Sequence, residues 1–151
     1  MVNAGLPGLP PATAADIARG VCRLLGAHGQ GTLTEVTLRT GRRVDVMALA
    51  PDGRITVVEV KSSAQDYMSD RKWRDYLEFC DRFFFAVGES FPTEILPAEP
   101  GLIVADRFGG VVLREAPATP LAPARRKALT LKFALLGSQR MTRLLDPESG
   151  I

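Results

Sequence analysis

Two loops of equal length, Arg39-Thr40-Gly41 and Pro51-Asp52-Gly53, separate three runs rich in β-branched residues and leave them little freedom of pairing. Each loop ends in glycine, which takes the left-handed position of a three-residue hairpin loop at no steric cost. The strands are expected at Leu33–Leu38, Arg42–Leu49 and Ile55–Lys61. The second loop pairs Ala50 with Arg54 and so sets Asp45 opposite Glu59. The first pairs Leu38 with Arg42 and so sets Glu35 opposite Asp45. A slip of one residue would turn a whole strand to its other face.

That register sorts the side chains. Val44, Val46 and Ala48 share a face with Val58 and Val60. The other face carries Met47, Leu49, Ile55 and Val57 near the turn, and Asp45, Glu59 and Lys61 at the far end. Charges inside β-branched runs are costly to bury unless they are paired or bind something. Glu35, Asp45 and Glu59, with β-carbons ~5 Å apart, repel one another if all are ionised. A hard divalent cation, Mg²⁺ or Mn²⁺, is a natural partner for such oxygens, with Asp45, Glu59 and Glu35 as its ligands. Lys61 lies two residues beyond Glu59, hence on the same face, where it can hold water or stabilise charge developing on a phosphate. The same residues also suit a structural cluster in which Lys61, Arg43 and the carboxylates neutralise one another.

The remaining chain reads as one domain of 151 residues. A Gly/Pro-rich arm covers 1–12, a core 13–115, and a proline-rich connector with a basic helix 116–151. Thr13 caps a helix over Ala14–Leu25. A second helix is expected from Asp66 to Cys80, with Trp73, Tyr76, Leu77 and Cys80 on its buried face and Lys72 one turn from Tyr76. Arg82–Val87 reads as a buried strand, and Phe91–Pro100 as a loop with room for one helical turn. Two strands, Leu102–Ala105 and Val111–Arg114, flank Gly109-Gly110. The final helix, Ala124–Leu145, has a kink expected near Gly137. Its region carries Arg125, Arg126, Lys127, Lys132, Arg140 and Arg143 against Asp146, a face suited to solvent or to a phosphate backbone. The fold class is α/β (α+β), a mixed sheet flanked by helices.

Several chemistries are excluded. A single histidine, His28, and two cysteines, Cys22 and Cys80, cannot build a multi-histidine zinc site, an HNH-type centre or a disulfide framework. No phosphate-cradling glycine loop or nucleophile–base pair is present. No run approaches a membrane span and no signal peptide is legible, so a reducing, cytoplasmic and nucleoid-associated location is expected.

Asp45 and Glu59-Val60-Lys61, set between helices, resemble the PD-(D/E)xK phosphodiesterase superfamily, although Val44 stands where a proline often precedes the aspartate. That resemblance implies a restriction-endonuclease-like αβββαβ core, here with an extra β-hairpin and a C-terminal helix. A wider resemblance, to the MmcB family of bacterial DNA repair proteins, rests on four segments: Gly41 to Ala48, Glu59 to Ser63, Asp66 to Tyr76 with its Asp-Arg-Lys-Trp run, and Cys80 to Val87. Gly101 to Asp106 fits as well. It implies a metal-dependent DNA endonuclease in the damage response. The alternative is a catalytically weak or inactive nuclease-fold module that binds DNA and recruits repair or translesion-synthesis factors. Nucleases of this type often cut duplexes as homodimers, but no dimer face is legible. Lys72 and Tyr76 resemble the glutamine-x-x-x-tyrosine element of related nucleases, and with Arg43 and Ser62 they are the candidate DNA contacts. Ser62 and Ser63 equally suit a helix cap.

Overall fold

The computed structural model describes residue 8 and residues 10–151, so the arm expected over 1–12 lies largely outside it. Helix α1 spans Ala14–Ala27 and opens with a reciprocal capping box between Thr13 and Asp16. Strands β1 (Gly31–Thr37), β2 (Arg43–Leu49) and β3 (Ile55–Lys61) follow as an antiparallel meander in the expected register. Gly41 and Gly53 hold the left-handed loop positions, at φ 88° and 90°. After the short helix α2 (Ala64–Ser69) and a 3₁₀ segment (Trp73–Phe79), the chain returns as β4 (Arg82–Val87), parallel to β3. Then β5 (Gly101–Asp106) adds parallel to β4, β6 (Gly109–Arg114) pairs antiparallel with β5, and α3 (Pro123–Leu145) closes the fold. The six strands stand in chain order across one mixed sheet, and the αβββαβ order is present.

The sheet is covered on both faces. On one, Ile17, Val21 and Leu25 of α1 pack on Val46, Ala48, Val58, Phe84 and Ile103. On the other, Trp73, Tyr76 and Phe79 form an aromatic layer with Phe83 and Phe85, and Leu129 joins it from α3. Val44, expected with Val46, packs in the aromatic layer instead. The β1–β2 ladder is interrupted beside it, where Glu35 takes φ 52° and its pairing with Asp45 is skipped. Gly20 lets α1 touch the sheet edge, since a Cβ there would collide with the carbonyl oxygens of Asp106 and Gly109. Among the described residues no helix is long and apolar enough to cross a membrane.

The single helix expected over Asp66–Cys80 is two pieces. Asp70 is extended (φ −143°, ψ 105°) and its Oδ1 accepts the Lys72 N–H at 3.1 Å, which ends α2 in an Asx-type turn. The following segment is 3₁₀, with three residues per turn. That period buries Trp73, Tyr76 and Phe79, whereas Leu77, expected inside, is 44% exposed. The kink expected at Gly137 does not interrupt α3; Gly137 lies against Leu33 of β1.

A second unexpected element ties the molecule together. Asp81, 4% exposed, accepts the N–H groups of Ile55 (2.8 Å) and Leu121 (2.9 Å) and a forked pair from Arg126 (2.7 and 2.5 Å). These bonds hold its carboxyl down at about 2 despite burial. Arg126 also donates to the Gly53 carbonyl at 2.8 Å, so one ion pair joins β3, β4, the connector and α3.

Candidate active site

The expected hairpin brings Asp45 and Glu59 side by side at the far end of β2 and β3. The Asp45 N–H donates to Glu59 Oε1 at 3.2 Å, and the Val60 N–H donates to Asp45 Oδ2 at 2.7 Å. The two carboxylates thus replace ladder bonds that the strands do not make there. Each has one oxygen engaged by the main chain, and a side-chain hydrogen bond also links Asp45 with Glu59. Both line a cleft of about 670 Å³ together with Lys61, Glu35, Asp66 and Arg19.

Lys61 is 6% exposed, yet among the described residues no salt bridge engages it. Arg43 sits apart, exposed and 3.9 Å from Glu35. The expected neutralising cluster is split: Arg43 pairs with Glu35 at the rim, while Lys61 attracts Asp45 and Glu59 without a salt-bridge contact.

Glu35 stands at the rim, its side chain 66% exposed. Its left-handed backbone is strained for a residue with a Cβ. Arg140 of α3 clamps that turn, donating to the Thr34 carbonyl at 2.6 Å and the Glu35 carbonyl at 3.0 Å. The expected row of three carboxylates is therefore a pair plus an outlier. No group of three His, Cys, Asp or Glu among the described residues is placed to hold a metal by itself.

Lys72 and Tyr76 do not share a helix face. Lys72 precedes the 3₁₀ segment and is exposed, because the turn at Asp70 separates it from α2. Tyr76 is buried, stacks on Phe83 at 6.0 Å between centroids, and donates its hydroxyl to the Arg43 carbonyl at 3.3 Å. It buttresses the start of β2 from below the cleft. Ser63, not Ser62, caps α2 by accepting the Asp66 N–H; Ser62 is exposed and its N–H donates to Asp66 Oδ2. Four of the basic residues of α3 are also committed: Arg126 to Asp81, Arg140 to β1, Arg125 to Glu78 and the Phe79 ring, and Arg143 to the Ile151 carbonyl.

The family model for DNA repair protein MmcB-like matches residues 4–148. The chain belongs to the MmcB-like family. A solved protein of unknown function from Silicibacter pomeroyi is 50% identical to this MmcB-like chain, covering 94% of it and 96% of its own length, with a TM-score of 0.87. A repair endonuclease from Pyrococcus abyssi aligns over 65% of this chain and 48% of its own, at 21% identity and a TM-score of 0.41. No curated protein matches.

Electrostatics set the carboxylate pair of this MmcB-like protein apart. Burial, and then the charge of Asp45, push the Glu59 carboxyl up to about 8. Burial also raises Asp45, although the Val60 N–H and Lys61 pull it back. With a proton on Glu59 that the unfolded chain would already have lost, the fold loses stability as pH rises from about 4.5 through about 8. Arg19 and Asp66 were missed in the sequence. Asp66 was readable as a capping residue three positions after Ser63, whereas Arg19 carried no signal beyond an exposed helix position.

Proposed function

We propose that the cleft is a metal-dependent phosphodiesterase centre and that the protein is a DNA endonuclease of the damage response. The observation that carries this reading is Lys61, a buried ammonium with no salt bridge, in one cleft with the buried Glu59 and the half-buried Asp45, whose carboxylates repel. A structural cluster would close these charges into direct ion pairs, whereas Lys61 attracts both carboxylates without a salt-bridge contact to either. The donor set suits a cation that binds one or two carboxylates and completes its shell with water and phosphate oxygens, as Mg²⁺ does. Asp45 and Glu59 would hold it through the oxygens not bound by the main chain, the ion displacing the proton they share, with Glu35 at the rim as an additional acid. Bound there, the ion would supply Lewis-acid stabilisation of the phosphate and a water of lowered pKa.

The chain's own groups supply the rest. Lys61 orients the attacking water or offsets charge gathering on the phosphate in a cleft where solvent screening is weak. Arg19, exposed at the edge, and Arg43 on the Glu35 side are placed to meet backbone phosphates.

Nicking of supercoiled DNA by the purified protein tests the reading. Cleavage is expected to appear with Mg²⁺ or Mn²⁺, to vanish with a chelator, and to be lost in Asp45→Ala. No metal-dependent cleavage on duplex, branched or single-stranded DNA would sink it and leave a DNA-binding adaptor. Cleavage that survives Asp45→Ala would belong to a contaminant.

A further inference from the structure

The β5–β6 turn presents an aromatic ring that the fold does not use. Phe108 is 55% exposed at the tip, between Asp106 and Gly109. The turn beneath it is rigid. Asp106 Oδ1 accepts the N–H groups of Phe108 (2.8 Å) and Gly109 (3.1 Å), Arg23 Nη1 donates to the Phe108 carbonyl at 3.3 Å, and Gly20 allows α1 to press directly on the turn. A large apolar side chain held outward on a fixed turn, rather than folded down, gains nothing in stability. Cations surround it: Arg107 lies 6.0 Å from the ring centroid and 3.5 Å from Asp16, and Arg23 reaches the turn from α1.

Helix α1 stands between this turn and the cleft. Helix α1 presents Ala14, Ala15, Ala18 and Arg19 to the cleft and Asp16, Gly20 and Arg23 to the turn, so the two sites flank one helix. A helix is about 10 Å across. Nucleotides are ~3.4 Å apart along a duplex strand and farther apart when unstacked, so about three nucleotides or fewer cross that width.

We propose that Phe108, with Arg23 and Arg107, is a stacking platform for an unpaired base of a DNA strand lying in the cleft. The platform rests on the proposed function and deepens it by naming the substrate class: DNA with single-stranded or unpaired nucleotides beside the reacting phosphate. An exposed aromatic ring accepts any base by its π-face, while neighbouring arginines hold the backbone. In continuous duplex the bases are stacked on each other and the ring has nothing to receive.

Equilibrium binding of fluorescently labelled DNA, measured in chelator so that hydrolysis plays no part, tests the platform. The wild-type protein is expected to bind a single-stranded oligonucleotide, and Phe108→Ala to weaken that binding about 5- to 50-fold. Duplex affinity should stay within about twofold. Phe108→Trp is expected to restore affinity, with its fluorescence quenched as single-stranded DNA is added. Because Phe108 is exposed, the variants should melt as the wild type does. Unchanged single-strand affinity in Phe108→Ala, equal losses on both DNAs, or no single-strand binding by the wild type would each overturn the platform. A protein that binds through Phe108 but never cuts would sink the endonuclease reading while leaving the platform standing.

Discussion

Lys61→Met is expected to lower the rate of metal-dependent nicking by about 10²–10³-fold while leaving the melting temperature unchanged or higher. The loss is the size seen when one preorganised charge-stabilising donor is removed from an active site. The retained stability is the informative half. Among the described residues Lys61 makes no salt bridge, so substitution removes only its longer-range attraction for Asp45 and Glu59, and methionine fills similar volume without a charge to desolvate. A lysine serving as the keystone of an ion-pair cluster would behave oppositely, and its removal would cost about 3–5 kcal/mol. Lys61→Arg should not rescue cleavage, because a planar fork does not fit where a compact ammonium is buried. Single-turnover kinetics beside a thermal melt separates the two accounts.

The second large effect falls far from the cleft. Asp81→Ala is expected to destabilise the protein by about 3–5 kcal/mol, since it leaves two main-chain N–H groups without their acceptor and the Arg126 guanidinium with the Gly53 carbonyl but no counter-charge. For a chain of this size that is a fall of about 6–20 °C in melting temperature. Asp81→Asn should recover only part of it, because an amide has one acceptor oxygen where the carboxylate uses two. The wild type should show the matching pH dependence. With the folded pKa held at about 2, the contribution is whole above the ordinary aspartate range and fades as pH falls through about 2. A melting temperature within a few degrees of wild type would show that the clip is dispensable.

The sequence announced the cleft better than it announced what holds the cleft in place. Equal glycine-ended loops fixed which residues face each other, so Asp45, Glu59 and the bounds of β3 could be read directly, and the apolar run around Phe83, Phe84 and Phe85 marked those of β4. The aromatic segment misled because α and 3₁₀ helices share the i, i+3 contact. Trp73 and Tyr76 fit both, and only Leu77 against Phe79 tells them apart. Glu35 could not be placed because a left-handed turn in a β-rich run leaves no local signature when the residue is not glycine. Asp81 and Arg126 lie 45 residues apart, beyond the reach of any periodicity. The basic helix showed the same limit: its charge was plain, but its commitments to Asp81, Thr34 and Glu35 were not.

The central claim is that Asp45 and Glu59 form a cation site, and a calorimetric Mn²⁺ titration across pH 6–9 tests it most directly. The Glu59 proton, held to about pH 8, must leave before that carboxylate can serve as a ligand. Apparent affinity should therefore fall about tenfold per pH unit below about 8 and level off above it. About one proton should be released per metal bound near neutral pH, and Asp45→Asn should abolish the signal. Binding that ignores pH and survives Asp45→Asn, or no binding at any pH, would contradict the account.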